Sequence, residues 1–532
     1  MQQNMRWWAK AAATATILTS VLSACSSGNT SESSPASSSA AATETAGGSA
    51  SATASAEASN NEHYTINWGI HFQAPGVIAD TRVQKELEKR YNVTIKPVKI
   101  TDASIAGGEV PDVFTLSDPS AVAAYQTQGV LMPIERSLIG ERLPEYEADI
   151  QSVPGNLFAP ATFDDKLWAI PMFVMLRGYD FAGLWRTDWL KKVGIEKTPE
   201  TLEEFEKAVY AFAKNDPDGN GKNDTYGLTG TMTTTWSSGF YNIFGAYGVE
   251  PTMWHVRDGK VVNGSVMPET KEALATLRKW YADKVIDPEF ITDTQESYRT
   301  KLFNGRIGFI EETIGRLYRE DASTIASMKE INASATLAPG VNPTGPGGSG
   351  SWSWGSKSNY VVFGSQMAKD QGKLDRILQI MRDYSADREL YLLLNQGYEG
   401  EQWKYVSGTS GPTEFLDGWA KVEDRDQTGA RMFALGAINT NAMRADLTDP
   451  DLTAAIQKYG AGDNWTDATY FMVLPSEGMY KADLTLLMQR TFAEIITGQK
   501  SLDDYDAYVK QWYAKGGQKL TDEANALYAT LK

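Results

Sequence analysis

The chain of 532 residues is 42% hydrophobic and 11% aromatic, enough apolar material for one large core or two medium ones. Fifty Lys and Arg against 67 Asp and Glu leave a formal charge of −17, which argues against a nucleic-acid partner and against direct docking on anionic lipid. Three histidines without zinc-ligand spacing, one cysteine, and no G-x-S-x-G or G-x-x-x-x-G-K-[ST] segment leave zinc, disulfide, nucleophile-elbow and phosphate-loop chemistry without residues to carry them.

At the N-terminus, Arg6 and Lys10 precede an apolar run from about Ala11 to Leu22. The run is too short to span a bilayer stably but suits a secretory signal, so residues 1–24 read as a signal peptide. The segment Leu22-Ser23-Ala24-Cys25 resembles the lipobox of bacterial lipoproteins, which implies a lipidated Cys25 as the mature N-terminus. Residues 25–62 are nearly all Ser, Ala, Thr, Gly and Glu; they cannot bury a core and read as a disordered linker with a reach of roughly 35 Å. Together these features predict an extracytoplasmic protein anchored to the cell membrane by lipid.

From His63 the pattern changes. Tyr64 to Ile70 alternates apolar and polar residues like a strand, Arg82 to Tyr91 has helical spacing, and Val93 to Ile100 is a second strand. Gly107 to Leu116 is a turn leading into a buried strand, completing the βαβ rhythm of a mostly parallel sheet. Thr201-Leu202-Glu203-Glu204 is a capping box opening a helix with Leu202, Phe205, Val209 and Phe212 on one face. Further helices are predicted over Pro268–Tyr281, Lys373–Asn395, Lys481–Thr497 and Asp503–Ala514, and short strands over Arg306–Ile310 and Asn359–Phe363.

Between these elements, Asn215 to Gly227 carries oxygen donors at alternate positions. Asp216, Asp218 and Asn220 fit positions 1, 3 and 5 of a calcium loop, with the Lys222 carbonyl at 7 and Asp224 at 9. Position 12, which should be a bidentate Glu, is Gly227, and the Gly-rich, β-branched residues after it do not predict an outgoing helix. A switch needs two helices, so the residues favour a structural calcium clip, with an Asx/Gly turn that binds nothing as the alternative.

The order of parts resembles the lipoprotein solute-binding proteins of ABC importers. The resemblance is carried by the lipobox, "INWGIHF", "GGEVPDVFTLSD", "DDKLWAIPMF", "LWRTDWLKKVGI", "TPETLEEFEKA", "KLFNGRIGFIEE" and "SNYVVFGSQMAKD", and is greatest to the branch that includes the alginate-binding proteins. It implies an α/β fold of the periplasmic-binding-protein type II kind, with two α/β lobes joined by crossing strands and a sugar gripped between them. Lobe one would hold about 63–170 and 303–360, and lobe two about 180–302 and 361–532. The first crossing would run from Leu167 to Phe181, with a return near Phe303 to Phe309. It also implies an oligosaccharide ligand, ABC permease subunits as partners and a monomer. Calcium occupies such a loop in similar proteins, where the residue after the last Asp is commonly Glu; here Thr225 stands there, which predicts a weaker site.

Sugar rings present flat C–H faces to aromatic side chains and hydroxyls to planar polar groups. Trp352 and Trp354 alternate on a Gly/Ser-rich segment that no helical pattern claims; Trp236 follows a Thr-rich loop, and Trp254 a turn. His71 and Phe72 end the first strand and Asp118 follows the third, where ligands collect in open parallel sheets; Arg177 lies in the first crossing. Glu399 and Trp403 belong to a G-x-E-G segment that resembles one beside the cleft in related proteins. The competing reading is a surface-anchored polysaccharide-degrading enzyme, a glycoside hydrolase or lyase, using the same aromatics in a groove.

Overall fold

A computed structural model of the chain describes residues 61–531, apart from 71–75, 154, 175–178, 233–238, 319–323, 420, 435–442, 444–445 and 461–466. The opening alternation folds as read. Strand β1 (Tyr64–Gly69) runs parallel to β2 (Val93–Val98), with Tyr64 opposite Val93 and Gly69 opposite Val98. The helix Arg82–Tyr91 between them is started by Thr81, whose hydroxyl accepts from Gln84 N at 3.3 Å, and ended by Asn92 at φ 50. Its apolar face buries Val83 and Leu87. Strand β3 (Val113–Leu116), buried throughout, joins β1 in parallel.

Two short strands, β4 (Thr162–Phe163) and β5 (Lys166–Leu167), form a hairpin ahead of β6 (Ile170–Phe173). The first sheet takes the order β2-β1-β3-β13-β6, where β13 is Lys357–Phe363 and pairs antiparallel with both β3 and β6. Its core gathers Ile66, Trp68, Phe114, Tyr360, Ile377 and Met381, so the helices Gln371–Ala386 and Arg388–Gln396 pack with this sheet.

A second sheet takes the order β12-β7-β11-β8: β7 (Phe181–Arg186), β8 (Tyr226–Leu228), β11 (Ile307–Thr313) and β12 (Leu337–Gly340). All six residues of β7 are buried, and it takes β11 and β12 antiparallel on its two edges. The core beneath is aromatic: Trp185 lies 4.5 Å from Phe309 and 4.9 Å from Phe205, which stacks on Trp280 at 5.8 Å. The capping box closes as expected, Glu204 N donating to Thr201 Oγ1 at 3.2 Å, and the helix Leu202–Lys214 turns Phe205, Val209 and Phe212 inward. Beyond it, β9 (Trp254–Arg257) and β10 (Lys260–Asn263) form a hairpin. The C-terminal helices Glu477–Ile496, Asp504–Trp512 and Gln518–Leu531 join the same core through Phe492, Tyr508, Trp512 and Leu520.

The division of the chain between the two cores differs from the expected one. Ile307–Thr313 does not return to the first sheet near Phe303–Phe309; it pairs with β7 and β8, and β12 pairs with β7, so both strands belong to the second sheet. The first-sheet return is β13, and the segment from Val361 to Gln396, expected in lobe two, builds the first core instead. The reason is edge demand. A strand buried on both faces must hydrogen-bond on both edges, and β11 and β12 supply what β7 lacks. Among the described residues, no helix is long and apolar enough to cross a membrane.

Candidate functional site

Strand β3 ends at Leu116, and the chain turns through Ser117 and Asp118 into the helix Pro119–Thr127. Asp118 caps that helix, accepting from Ala121 N at 3.0 Å and from the Ser117 hydroxyl at 3.0 Å. This carboxyl end of a parallel strand opens onto a cavity of about 320 Å³. Its wall combines Asp118 and Lys357 from the first sheet with Trp254, Trp512 and Leu484 from the elements of the second core. Ligand-sized space walled by both cores is what the interlobe reading requires.

Aromatic rings give the cavity its shape. Trp354 lines it, Phe471 lies 5.1 Å from Trp354, and Trp254 meets Trp512 edge-on at 6.4 Å. Trp352 does not line it. Its indole is buried behind, edge-on to Trp354 at 4.5 Å and stacked on Tyr241 at 6.1 Å, so it braces the ring that does. Two consecutive residues beside the cavity, Tyr470 (φ 52) and Phe471 (φ 60), hold left-handed backbone that bulky residues seldom adopt. Buried Asp467 fixes that loop: it accepts from Thr469 N and Trp254 N, each at 2.8 Å, and from the Thr469 hydroxyl. Burial raises the Asp467 carboxyl above the usual range, against the pull of those donors.

Lys357 begins β13 and is 6% exposed. Its Nζ stands 4.1 Å from the Trp354 ring centre and 4.5 Å from that of Phe471. Burial pulls its ammonium down to about 7, opposed by the charges of Asp118 and Asp467. Sequence reasoning missed Lys357, Asp467, Phe471 and Trp512. The first opens a recognisable strand, and the last sits on a helix whose apolar spacing reads as ordinary core.

Of the residues expected in the cleft, Asp118, Trp254 and Trp354 come together here. Glu399 and Trp403 do not. Trp403 is buried on β14 (Trp403–Tyr405), which pairs with β15 (Thr413–Phe415), and its indole donates to Gly397 O at 3.0 Å. Gly397 at φ 88 ends a helix, and Gln402 Oε1 accepts from Tyr398 N at 3.0 Å; the segment closes on itself, leaving Glu399 exposed at its tip. His71, Phe72, Arg177 and Trp236, like Cys25, lie outside the described residues.

The loop Asn215–Gly227 is stitched by its own side chains. Asp216 Oδ1 accepts from Gly219 N and Asn220 N, each at 3.1 Å, and Oδ2 from Gly221 N at 2.9 Å; the Gly221 amide leads in holding the Asp216 carboxyl below its usual range. Partial burial, with Asp216 beside it, pushes Asp218 up. Asn220 Nδ2 donates to Asp218 Oδ2 at 2.7 Å and to Asp224 Oδ1 at 3.1 Å, so two carboxylates converge on one point. Among the described residues, no three His, Cys, Asp or Glu side chains form a ready metal cage. The donors nevertheless suit a hard cation: hard oxygen groups converge where the Asn220 amide now sits. Thr225 takes no part, turning inward to donate to Phe212 O at 2.8 Å. A carboxylate at Gly227 is excluded, because even a Cβ there would come within 2.5 Å of Val209 O.

With this geometry in place, comparison with known proteins becomes decisive. Residues 78–375 match the sequence pattern of the bacterial extracellular solute-binding proteins. The chain belongs to that family. Among solute-binding relatives, the lipoprotein LipO of Bacillus subtilis (strain 168) is 24% identical over 469 residues, covering 84% of this chain and 89% of LipO. The polygalacturonan/rhamnogalacturonan-binding protein YtcQ of the same organism is 23% identical over 473 residues, covering 85% and 89%. The structure of Streptococcus pneumoniae FusA, an ABC-transporter substrate-binding protein in complex with kestose, superposes with a TM-score of 0.68 at 18% identity, over 88% of this chain and 98% of that one. An EF-hand mutant of FusA in complex with fructo-nystose gives 0.67 at 18% identity, with the same coverage. The fold is therefore that of the type II periplasmic binding proteins. As a solute-binding protein the chain holds a ligand for transport and is not an enzyme, which sets aside the polysaccharide-degrading alternative.

Proposed function

We propose that this solute-binding protein is the receptor of an ABC importer and that its solute is an oligosaccharide held in the cavity of Asp118, Trp254 and Trp354. The observation that carries this reading is a cavity in which the rings of Trp254, Trp354, Phe471 and Trp512 face Asp118 and Lys357 of the first sheet, with the carboxylate at the mouth of β3. Rings stack on sugar C–H faces, and Asp118, Thr252 and Asn263 offer partners to hydroxyls. A ligand that touches both cores at once favours the arrangement in which they are closed, because its contacts exist only there. That closed form is what permease subunits would recognise. Relatives named for polygalacturonan and for fructo-oligosaccharide support a sugar ligand.

On this reading residues 1–24 are removed, Cys25 carries the lipid, and residues 25–62 tether a monomeric receptor outside the membrane; LipO is a named lipoprotein. The Asn215–Gly227 loop binds calcium through Asp216, Asp218, Asn220, Asp224 and the Lys222 carbonyl. The ion supplies only a local clip between the helix Leu202–Lys214 and β8.

The test is a thermal-shift screen of the lipid-free chain against an oligosaccharide panel, with each sugar analysed for cleavage afterwards. Stabilisation by a narrow set of sugars, recovered intact, is expected. Cleavage, or indifference to every sugar, would overturn the reading.

A further inference from the structure

The charged groups around the cavity are unequally provided for. Lys481 is paired with Glu477 at 2.5 Å on the helix Glu477–Ile496. Asp467 accepts four hydrogen bonds, and Asp118 caps its helix. Lys357 is the exception. Among the described residues no carboxylate stands within ion-pair distance of its Nζ, although the side chain is only 6% exposed. What it has instead are two ring faces, Trp354 and Phe471, and an open side toward the cavity.

A buried ammonium without a counter-charge is costly, and rings offset only part of that cost. A neutral hydroxyl arriving from the cavity would accept one hydrogen bond from it. A carboxylate would supply the missing charge as well, in a place from which water is largely excluded.

We propose that Lys357 makes this cavity selective for oligosaccharides that carry a carboxylate, that is, sugars of the uronic-acid class. The inference rests on the oligosaccharide reading above and narrows it. The acidity of the whole chain does not oppose it, because the groups facing Lys357 from each neighbouring element are accounted for: Asp118 after β3, Asp467 in its loop, and the Glu477–Lys481 pair on the long helix.

A distinctive consequence concerns protons. With burial pulling its ammonium down to about 7, Lys357 is only partly protonated near neutral pH in the free protein. Pairing with a ligand carboxylate favours the protonated form, so binding takes up protons near neutral pH, and uronate affinity falls as pH rises. A neutral sugar takes up none.

The experiment is calorimetric titration of the lipid-free chain, from residue 26, in two buffers of different ionisation heat. The ligands are trimers of galacturonate, glucuronate and mannuronate, the methyl ester of each, and neutral gluco- and fructo-trisaccharides. One uronate should bind about tenfold or more tighter than its own methyl ester, with proton uptake. Lys357→Met should abolish both the preference and the uptake while melting no lower than the parent; Lys357→Arg should keep the preference. An ester that binds as tightly as its acid, absent proton uptake, or an unchanged Lys357→Met would overturn the inference. Binding confined to the neutral sugars would overturn it too, leaving the oligosaccharide reading standing. Binding of no sugar at all would remove both.

Discussion

Replacing Trp354 by alanine separates a cavity wall from a core residue. In the folded protein this indole meets Trp352 at 4.5 Å and Phe471 at 5.1 Å, and lies 4.1 Å beneath the Lys357 ammonium. Two ring contacts at about 1 kcal/mol each and a cation–π contact of about 1 kcal/mol make about 3 kcal/mol of lost interaction. Water entering the space rehydrates Lys357 and returns part of this, leaving a net destabilisation of about 2 kcal/mol. A tryptophan that a ligand stacks upon contributes about 2 kcal/mol to binding, so affinity for the cognate sugar should fall about 30-fold. Trp403→Phe is the matched control. It removes the indole bond to Gly397 O, at about 1 kcal/mol of stability, at a residue that does not line the cavity, and should leave affinity unchanged. The assays are urea unfolding for stability and calorimetric titration for affinity. If folded Trp354→Ala kept its affinity within about threefold of the parent, or both variants weakened binding alike, the cavity would not be the sugar site.

Glu250 is fully buried and pushed up to about 8 by desolvation, so the unfolded chain ionises it near 4.5 while the folded one holds its proton. Stability from this group is fully present below pH 4.5 and is lost as pH rises toward 8; Glu250→Gln should therefore raise the urea midpoint at pH 8.5 and leave it unchanged at pH 4. Chelation of calcium should lower the melting temperature, with the clip contributing about 1–3 kcal/mol at saturating metal. Asp218→Ala should remove that response without changing sugar affinity, and loss of sugar binding in the still-folded variant would refute the clip. Gly308 lies so close to Phe212 that an added Cβ would stand 2.2 Å from its Cδ2, so Gly308→Ala should cost about 1–3 kcal/mol in urea unfolding.

What the sequence made legible was local. Alternation over Tyr64–Ile70, the Thr201/Glu204 capping box and the Phe205–Phe212 stripe each follow from a short-range period, and each element forms where expected. Strand pairing was not legible. Ile307–Thr313 and Phe181–Arg186 are nearly unbroken buried runs whose composition names no partner, and assigning them by analogy put β11 in the wrong sheet. The cavity was half legible. Trp354 stood out because no helix claimed it, whereas Trp512 was hidden among the apolar positions of Asp504–Trp512. Trp403 misled because a turn that closes on itself uses the same Gly and aromatic residues as a ligand loop. Lys357 carried no local signal at all; its significance arises only when Trp354, separated from it by a tight turn, and Phe471, far along the chain, fold over it.

The central claim, one oligosaccharide gripped by both cores, is tested most directly by a crystal structure of the protein with the sugar that most raises its melting temperature. The account predicts intact sugar rings stacked on Trp354 or Trp254, hydroxyls bonded to Asp118, and contacts from β3 on one side and the C-terminal helices on the other. Sugar bound outside this cavity, or held by one core alone, would contradict it.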